Sequence, residues 1–166
     1  EGARKIAAGS EGVFLLPHYK QESRESFFGL DSEFIIGYRG KHTGFHLYRA
    51  LIEGIAYNIK ANLQSCDHEI KRINIVGGGA NSRVVREIIA SVVNRPLHFA
   101  PGNSAAAGIA FLAGYSTGSI ESFHELTGSW FRDNQIIQPD GKQAETYDRL
   151  YSLYKKLKAL MEETDR

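Results

Sequence analysis

Arg72-Ile73-Asn74-Ile75-Val76-Gly77-Gly78-Gly79-Ala80-Asn81-Ser82 is the stretch on which the fold turns. A short run with β-branched residues enters three consecutive glycines, and a helical pattern leaves them. Val84, Val85, Ile88, Ile89, Val92 and Val93 share one face at helical spacing. The run predicts a strand over 72–76, and the pattern predicts a helix over 81–93. Asn94-Arg95-Pro96 stops that helix, because the residue before a proline is pushed out of the helical region. Leu97-His98-Phe99-Ala100 then reads as a second strand. Strand, glycine turn, helix, strand is an α/β unit, whose crossover is right-handed when the strands are parallel.

Working outward, Ser104 can cap a helix over 105–113, Ala-Ala-Ala-Gly-Ile-Ala-Phe-Leu-Ala. Its side chains are so small that it is expected to lie very close to another element. Upstream, Leu47, Leu51, Ile55, Ile59 and Leu63 recur every fourth residue, and Ile52 and Ala56 widen the stripe. With Thr43 as N-cap, this predicts a long helix with one strongly apolar face. Gly12-Val13-Phe14-Leu15-Leu16-Pro17 reads as a buried strand entering a loop. Residues 18–41 read as loop with one strand, Phe27-Phe28-Gly29-Leu30 being the apolar part. From 114 to 140 the signal is weak: Trp130-Phe131 packs on the surface and Pro139-Asp140-Gly141 turns. Tyr147, Leu150, Tyr151, Tyr154, Leu157 and Met161 mark a closing helix.

Composition narrows the function. Twenty Lys+Arg against nineteen Asp+Glu give a formal charge of +1, so nothing in the charge balance suggests a surface for nucleic acid or anionic membrane. No apolar run reaches the roughly 18 residues of a membrane span. Cys66 is alone, so no internal disulfide or cysteine-rich metal site can form, and a reducing, cytoplasmic setting is expected. The 166 residues suit one domain or half of a larger enzyme. Residues 1–8 read as the middle of a helix and Met161 is the sole methionine, so a piece of a longer polypeptide is expected.

Glycines after a strand and before a helix let a ligand lie against the backbone, where free N–H groups favour anions. The alternative is a tight turn that binds nothing. A dinucleotide fingerprint would need a glycine where Ser82 stands and an acid within 97–103, and neither is present. No Gly-Lys-Ser/Thr phosphate loop exists in the chain. His42 and His46 lack the glutamate of a zinc helix and read as surface or capping groups. Glu53 reads either as a functional carboxylate or as a hydrogen-bonded structural one. Glu22 and Arg24 read as an exposed polar loop, and the tyrosines of the closing helix as packing. No nucleophile–base pair can be assembled.

Taken in order, the segments resemble the C-terminal half of the FGGY family of carbohydrate kinases. Phe28-Gly29-Leu30 with the segment Leu47 to Tyr57 is similar to its long helix. The segment Ile75 to Ser82 with Asn94-Arg95-Pro96-Leu97 is similar to its nucleotide signature. The segment Ala105 to Ala110 resembles the small-residue helix that follows, and Tyr147-x-x-Leu150-Tyr151-x-x-Tyr154 the closing one.

The resemblance implies a ribonuclease-H-like (actin-like ATPase) α/β domain, a mixed sheet with helices, incomplete at its N-terminal edge. Residues 1–166 would be the C-terminal nucleotide-binding domain of a two-domain enzyme that moves the γ-phosphoryl of MgATP to a sugar hydroxyl, with ATP and Mg2+ as cofactors and a pentulose such as xylulose as substrate. Gly77, Gly78, Gly79 and Ala80 would lie against ribose and α-phosphate, Asn81 beside adenine, and the small-residue helix behind them.

The family's aspartate general base, most of its sugar contacts and its threonine-containing phosphate hairpin match nothing in this chain, so no catalytic or metal residue is assigned and the chain alone is expected to be inactive. Asn103-Ser104 stands where the family has Glu-Ala, and Lys20-Gln21-Glu22-Ser23-Arg24 follows its Gly-Glu-Arg-Thr loop loosely. An unpaired strand edge near 13–16 implies self-association. The alternatives are a non-catalytic nucleotide-binding or assembly module and a Rossmann-type oxidoreductase domain.

Overall fold

A computed structural model describes residues 1–17, 34–101, 105–122 and 135–164 of the chain. The glycine stretch forms the α/β unit expected of it. β1 (Phe14–Leu16) and β2 (Phe34–Ile36) precede α1 (Gly44–Gln64); β3 (Ile73–Ile75), α2 (Arg83–Val93) and β4 (Leu97–Phe99) follow. α3 (Ala105–Ser116), β5 (Gln135–Ile137) and α4 (Ala144–Thr164) complete the order. β3 and β4 are parallel, with Ile73 opposite Leu97, and β5 joins the far side of β4 antiparallel, with Ile137 opposite Leu97. The sheet is therefore mixed. β1 and β2 form a separate antiparallel pair among the described residues.

Local chemistry explains the boundaries. Thr43 caps α1, and the His46 ring returns to accept the Thr43 backbone N–H at 3.0 Å. Asn94 ends α2 in the left-handed conformation, φ 53 and ψ 43, which asparagine tolerates better than most residues. α1 runs so close to β1 that a Cβ on Gly54 would stand 2.2 Å from the Leu15 carbonyl oxygen, so only glycine fits there.

The core lies between α1, α2, α4 and the β1 strand, with Leu16, Tyr57, Val92, Leu97 and Tyr147 fully buried. Tyr57 stacks its ring 4.9 Å from Tyr154 and 5.9 Å from Tyr151. Each α4 tyrosine hands its hydroxyl to α1: Tyr147 to Glu53, Tyr151 to Gln64, Tyr154 to Asn58. Burial pushes the Tyr154 hydroxyl up to about 12, and Tyr57 and Tyr147 higher still, so all three stay neutral in the core. The Tyr57 hydroxyl has no acceptor among the described residues. A buried unpaired hydroxyl costs about 1–3 kcal/mol, so Tyr57→Phe should be neutral or stabilising. A urea midpoint lowered by the variant would contradict this.

Four sequence expectations need correction. Residues 1–8 are not helix interior: a 3-10 turn over Gly2–Lys5 gives way to extended backbone at Ile6 (φ −75, ψ 139). Arg49 takes the Ala3 carbonyl and Glu53 the Gly9 N–H, so tertiary contacts override helical propensity there. The apolar stripe of α1 is only half right. Ile55 is 39% exposed, whereas Arg49, Glu53 and Lys60 are buried, because α1 is covered from several sides and its charges are paired. α3 forms, yet Ile109, Leu112 and Tyr115 are 67%, 63% and 58% exposed. Small side chains permit a close approach but do not supply the partner, and the expected close packing is not made by the described residues. β5 appears inside the segment with weak signal. Ser104, Glu22, Arg24, Phe27 to Leu30, Asn103, Trp130 and Phe131 lie outside the described residues.

Candidate functional site

Beyond β3 the chain passes Val76, which is 56% exposed, and reaches Gly77 at φ 92 and ψ 176. That region is open to glycine and strained for other residues. A 3-10 turn over Gly78–Asn81 follows, closed by Ala80 N–H to Gly77 carbonyl at 3.1 Å and Ser82 N–H to Gly79 carbonyl at 3.1 Å. The N–H groups of Gly78 and Gly79 precede the first bond of the turn and have no acceptor within it. Ala80 is buried and anchors the turn; Asn81 is exposed; Ser82 takes the N-cap position of α2.

This geometry separates the ligand reading from the turn reading. Gly77 alone answers the conformational need, since Gly78 and Gly79 are absent from the positive-φ glycines. A Cβ at Gly78 or at Gly79 meets nothing within 4 Å. The fold would accept a side chain at both positions, and the sequence nevertheless leaves an open backbone face there. Residues 77–81 are thus brought together as one exposed turn feeding the N-terminus of α2.

The neighbourhood is basic. Arg83 pairs with Glu87 at 2.7 Å, and Arg4 reaches the same carboxylate at 3.0 Å. Arg86 donates from Nη1 to the Ala80 carbonyl and lies 4.2 Å from the centre of the Phe99 ring. Sequence reasoning missed Arg86, being concerned with the apolar face of α2. A signal was present: no acid occupies the first turn of α2, and cations near a helix N-terminus oppose its dipole. Two clefts of about 340 and 370 Å³ flank α2; the second is lined by Arg83, Arg86 and residues 135–138, and residues 77–81 line neither. The turn is an open shelf beside a cleft.

The other candidates resolve as structure. Glu53 accepts from Arg49 Nε at 2.8 Å, Gly9 N–H at 3.0 Å, Ser10 Oγ at 3.0 Å and Tyr147 Oη at 3.1 Å, four donors that tie the buried carboxylate into the core. His42 and His46 are capping groups, though buried rather than on the surface: their Nδ1 atoms accept the N–H of Arg39 and Thr43. Glu11 beside them is held below the usual carboxylate range by its hydrogen bond from Lys41. Among the described residues no group of His, Cys, Asp or Glu could hold a metal ion, and no helix is long and apolar enough to cross a membrane.

Comparison with known proteins gives a consistent picture. The family model described as "FGGY family of carbohydrate kinases, C-terminal domain" matches residues 6–117. The chain is 28% identical over 144 residues to a xylulose kinase of Staphylococcus epidermidis, covering 83% of this chain and 27% of that protein. It is 27% identical to a gluconokinase of Bacillus subtilis, covering 96% of this chain and 32% of the relative. The crystal structure of a xylulose kinase from Rhodospirillum rubrum superposes with a TM-score of 0.74 at 29% identity, over 98% of this chain and 33% of that one. The chain thus spans about a third of the length of the relatives it matches.

Proposed function

The chain belongs to the FGGY family of carbohydrate kinases, and from that premise we propose that residues 1–166 form the ATP-binding half of a cytoplasmic sugar kinase with ribonuclease-H-like architecture. ATP is the phosphoryl donor and a pentulose such as xylulose the acceptor, in keeping with the xylulose kinases among its relatives. The observation that carries the reading is the open face of Gly78 and Gly79, glycines that the fold does not itself require. Ribose and α-phosphate lie on residues 77–80, within reach of the Gly78 and Gly79 N–H groups that have no acceptor within the turn, and Asn81 stands beside the adenine.

Mg2+ would accompany the nucleotide and would supply charge stabilisation to the transferred phosphoryl group. Phosphoryl transfer relies on positioning and charge stabilisation more than on covalent chemistry. This chain contributes the nucleotide's position; the general base and the sugar site belong to the family's N-terminal domain.

Gly79→Ala tests the reading. A methyl group would project onto the shelf without meeting protein. ATP titrated calorimetrically into the chain should bind, and the variant should bind about tenfold more weakly, a loss near 1.4 kcal/mol, with an unchanged melting temperature. A lowered melting temperature with ATP affinity intact would return the glycines to a turn. Binding of NAD in preference to ATP would favour an oxidoreductase domain.

A further inference from the structure

Arg86 stands half-buried behind the glycine turn with an unusual set of partners. Its Nη1 donates to the Ala80 carbonyl, its guanidinium plane lies against Phe99 at 4.2 Å, and its Nε is buried with no hydrogen-bond partner among the described residues. No carboxylate pairs with it among those residues: Glu87, one position along, is already shared by Arg83 and Arg4. A cation in the first turns of a helix, unneutralised and incompletely hydrogen-bonded, is a cost to the fold.

Its place gives it a use. The Ala80 carbonyl belongs to the peptide that leads into Asn81, and in a trans peptide the N–H of Asn81 points opposite to that carbonyl. Holding the carbonyl toward Arg86 therefore fixes the roll of the whole turn about the chain axis. The same side chain rests on the last residue of β4, so the turn, α2 and β4 are locked by a single group. Glycines at 77–79 would otherwise leave this segment with the greatest backbone freedom of any in the chain.

We propose that Arg86 is a positioning residue of the nucleotide site: it pins the Ala80–Asn81 peptide so that the glycine shelf is preorganised for the anionic ligand, and its positive charge sits behind that shelf. The inference rests on the nucleotide reading of residues 77–81. It adds a residue that touches the ligand through the turn rather than directly. Preorganisation of this kind raises affinity by removing an ordering cost at the moment of binding.

The test uses the full chain with Arg86→Met and Arg86→Lys, ATP as the probe and two readouts. Amide NMR signals of Gly78, Gly79 and Asn81 should move in Arg86→Met before any nucleotide is added, because the turn loses its anchor. ATP affinity should fall about tenfold or more, the magnitude expected of a hydrogen bond from a charged group. Arg86→Lys keeps a charged donor within reach of the Ala80 carbonyl and should recover most of the affinity. A role confined to stability would lower the melting temperature of Arg86→Met while leaving ATP affinity unchanged, and that result overturns the proposal. Should Arg86→Met fail to fold, Arg86→Lys decides: unmoved glycine signals with wild-type affinity support the anchor, whereas displaced signals with unchanged affinity overturn it. Wild-type chain that ignores ATP while Arg86→Met still shifts the glycine signals defeats the nucleotide reading and leaves the hold on the turn standing.

Discussion

Glu53→Ala should lower the stability of the chain by about 3–5 kcal/mol, the cost of removing one partner from a buried ion pair. Glu53 is 2% exposed and Arg49 5%, and their 2.8 Å contact is sealed from water. Without the carboxylate, Arg49 would keep only neutral acceptors among the described residues, the Ala3 carbonyl at 3.2 Å and the Tyr147 hydroxyl at 2.7 Å. The Gly9 N–H and the Ser10 hydroxyl would lose their acceptor at the same moment. Those two groups hold the N-terminal segment onto α1, so the loss extends beyond one pair.

The measurement is the urea midpoint, with the transition slope checked for two-state behaviour. Lys41→Ala is the control, since it removes only the exposed partner of Glu11 and should leave the midpoint nearly unmoved. ATP affinity of Glu53→Ala, measured where the variant is still folded, should equal that of the parent. A midpoint unchanged in Glu53→Ala, or a selective loss of nucleotide binding, would show the carboxylate to be functional after all.

How far the sequence reveals this molecule depends on the distance over which each cause acts. The α1 cap, the glycine turn, the amphipathic face of α2 and its stop at Asn94 are encoded within a few residues, and all are found where the pattern puts them. Burial of Arg49, Glu53 and Lys60 is not local. For Arg49 and Glu53 it depends on Tyr147 and on residues 3–10, and for Lys60 on Val92 and Asp148, all far away in the chain, so a helical wheel places charged positions outside and Ile55 inside. β5 is three residues long and earns its strand conformation from pairing with β4, which no window of composition can display. At the proposed site, the turn over residues 77–81 is legible because glycine is conspicuous. Arg86 is not, because its meaning lies in the carbonyl and the ring that it touches.

Incubated alone with MgATP and xylulose, the chain should release ADP no faster with the sugar than without it. The reasoning starts from what the described residues supply. They provide an open glycine turn, proposed above as the shelf for ribose and phosphate, and a basic surround, but nothing that the family resemblance identifies as the aspartate base or the threonine hairpin. A general base is typically worth about 10²–10⁴-fold in rate. Holding donor and acceptor in line adds far more, since well-oriented intramolecular reactions gain about 7–11 kcal/mol over free encounter. A shelf that binds only one of the two substrates can draw on neither effect. Nucleotide affinity and turnover should therefore separate: calorimetry reports ATP binding while a coupled ADP assay stays at its sugar-free baseline. Sugar-dependent ADP release that saturates with xylulose would mean that the acceptor site and the base lie within these 166 residues, and that the division of labour proposed for the family's two halves does not hold for this chain. Gly79→Ala then identifies the origin of any signal. Activity from this chain must fall with its ATP affinity, whereas a contaminating kinase carried through purification would be indifferent to the substitution.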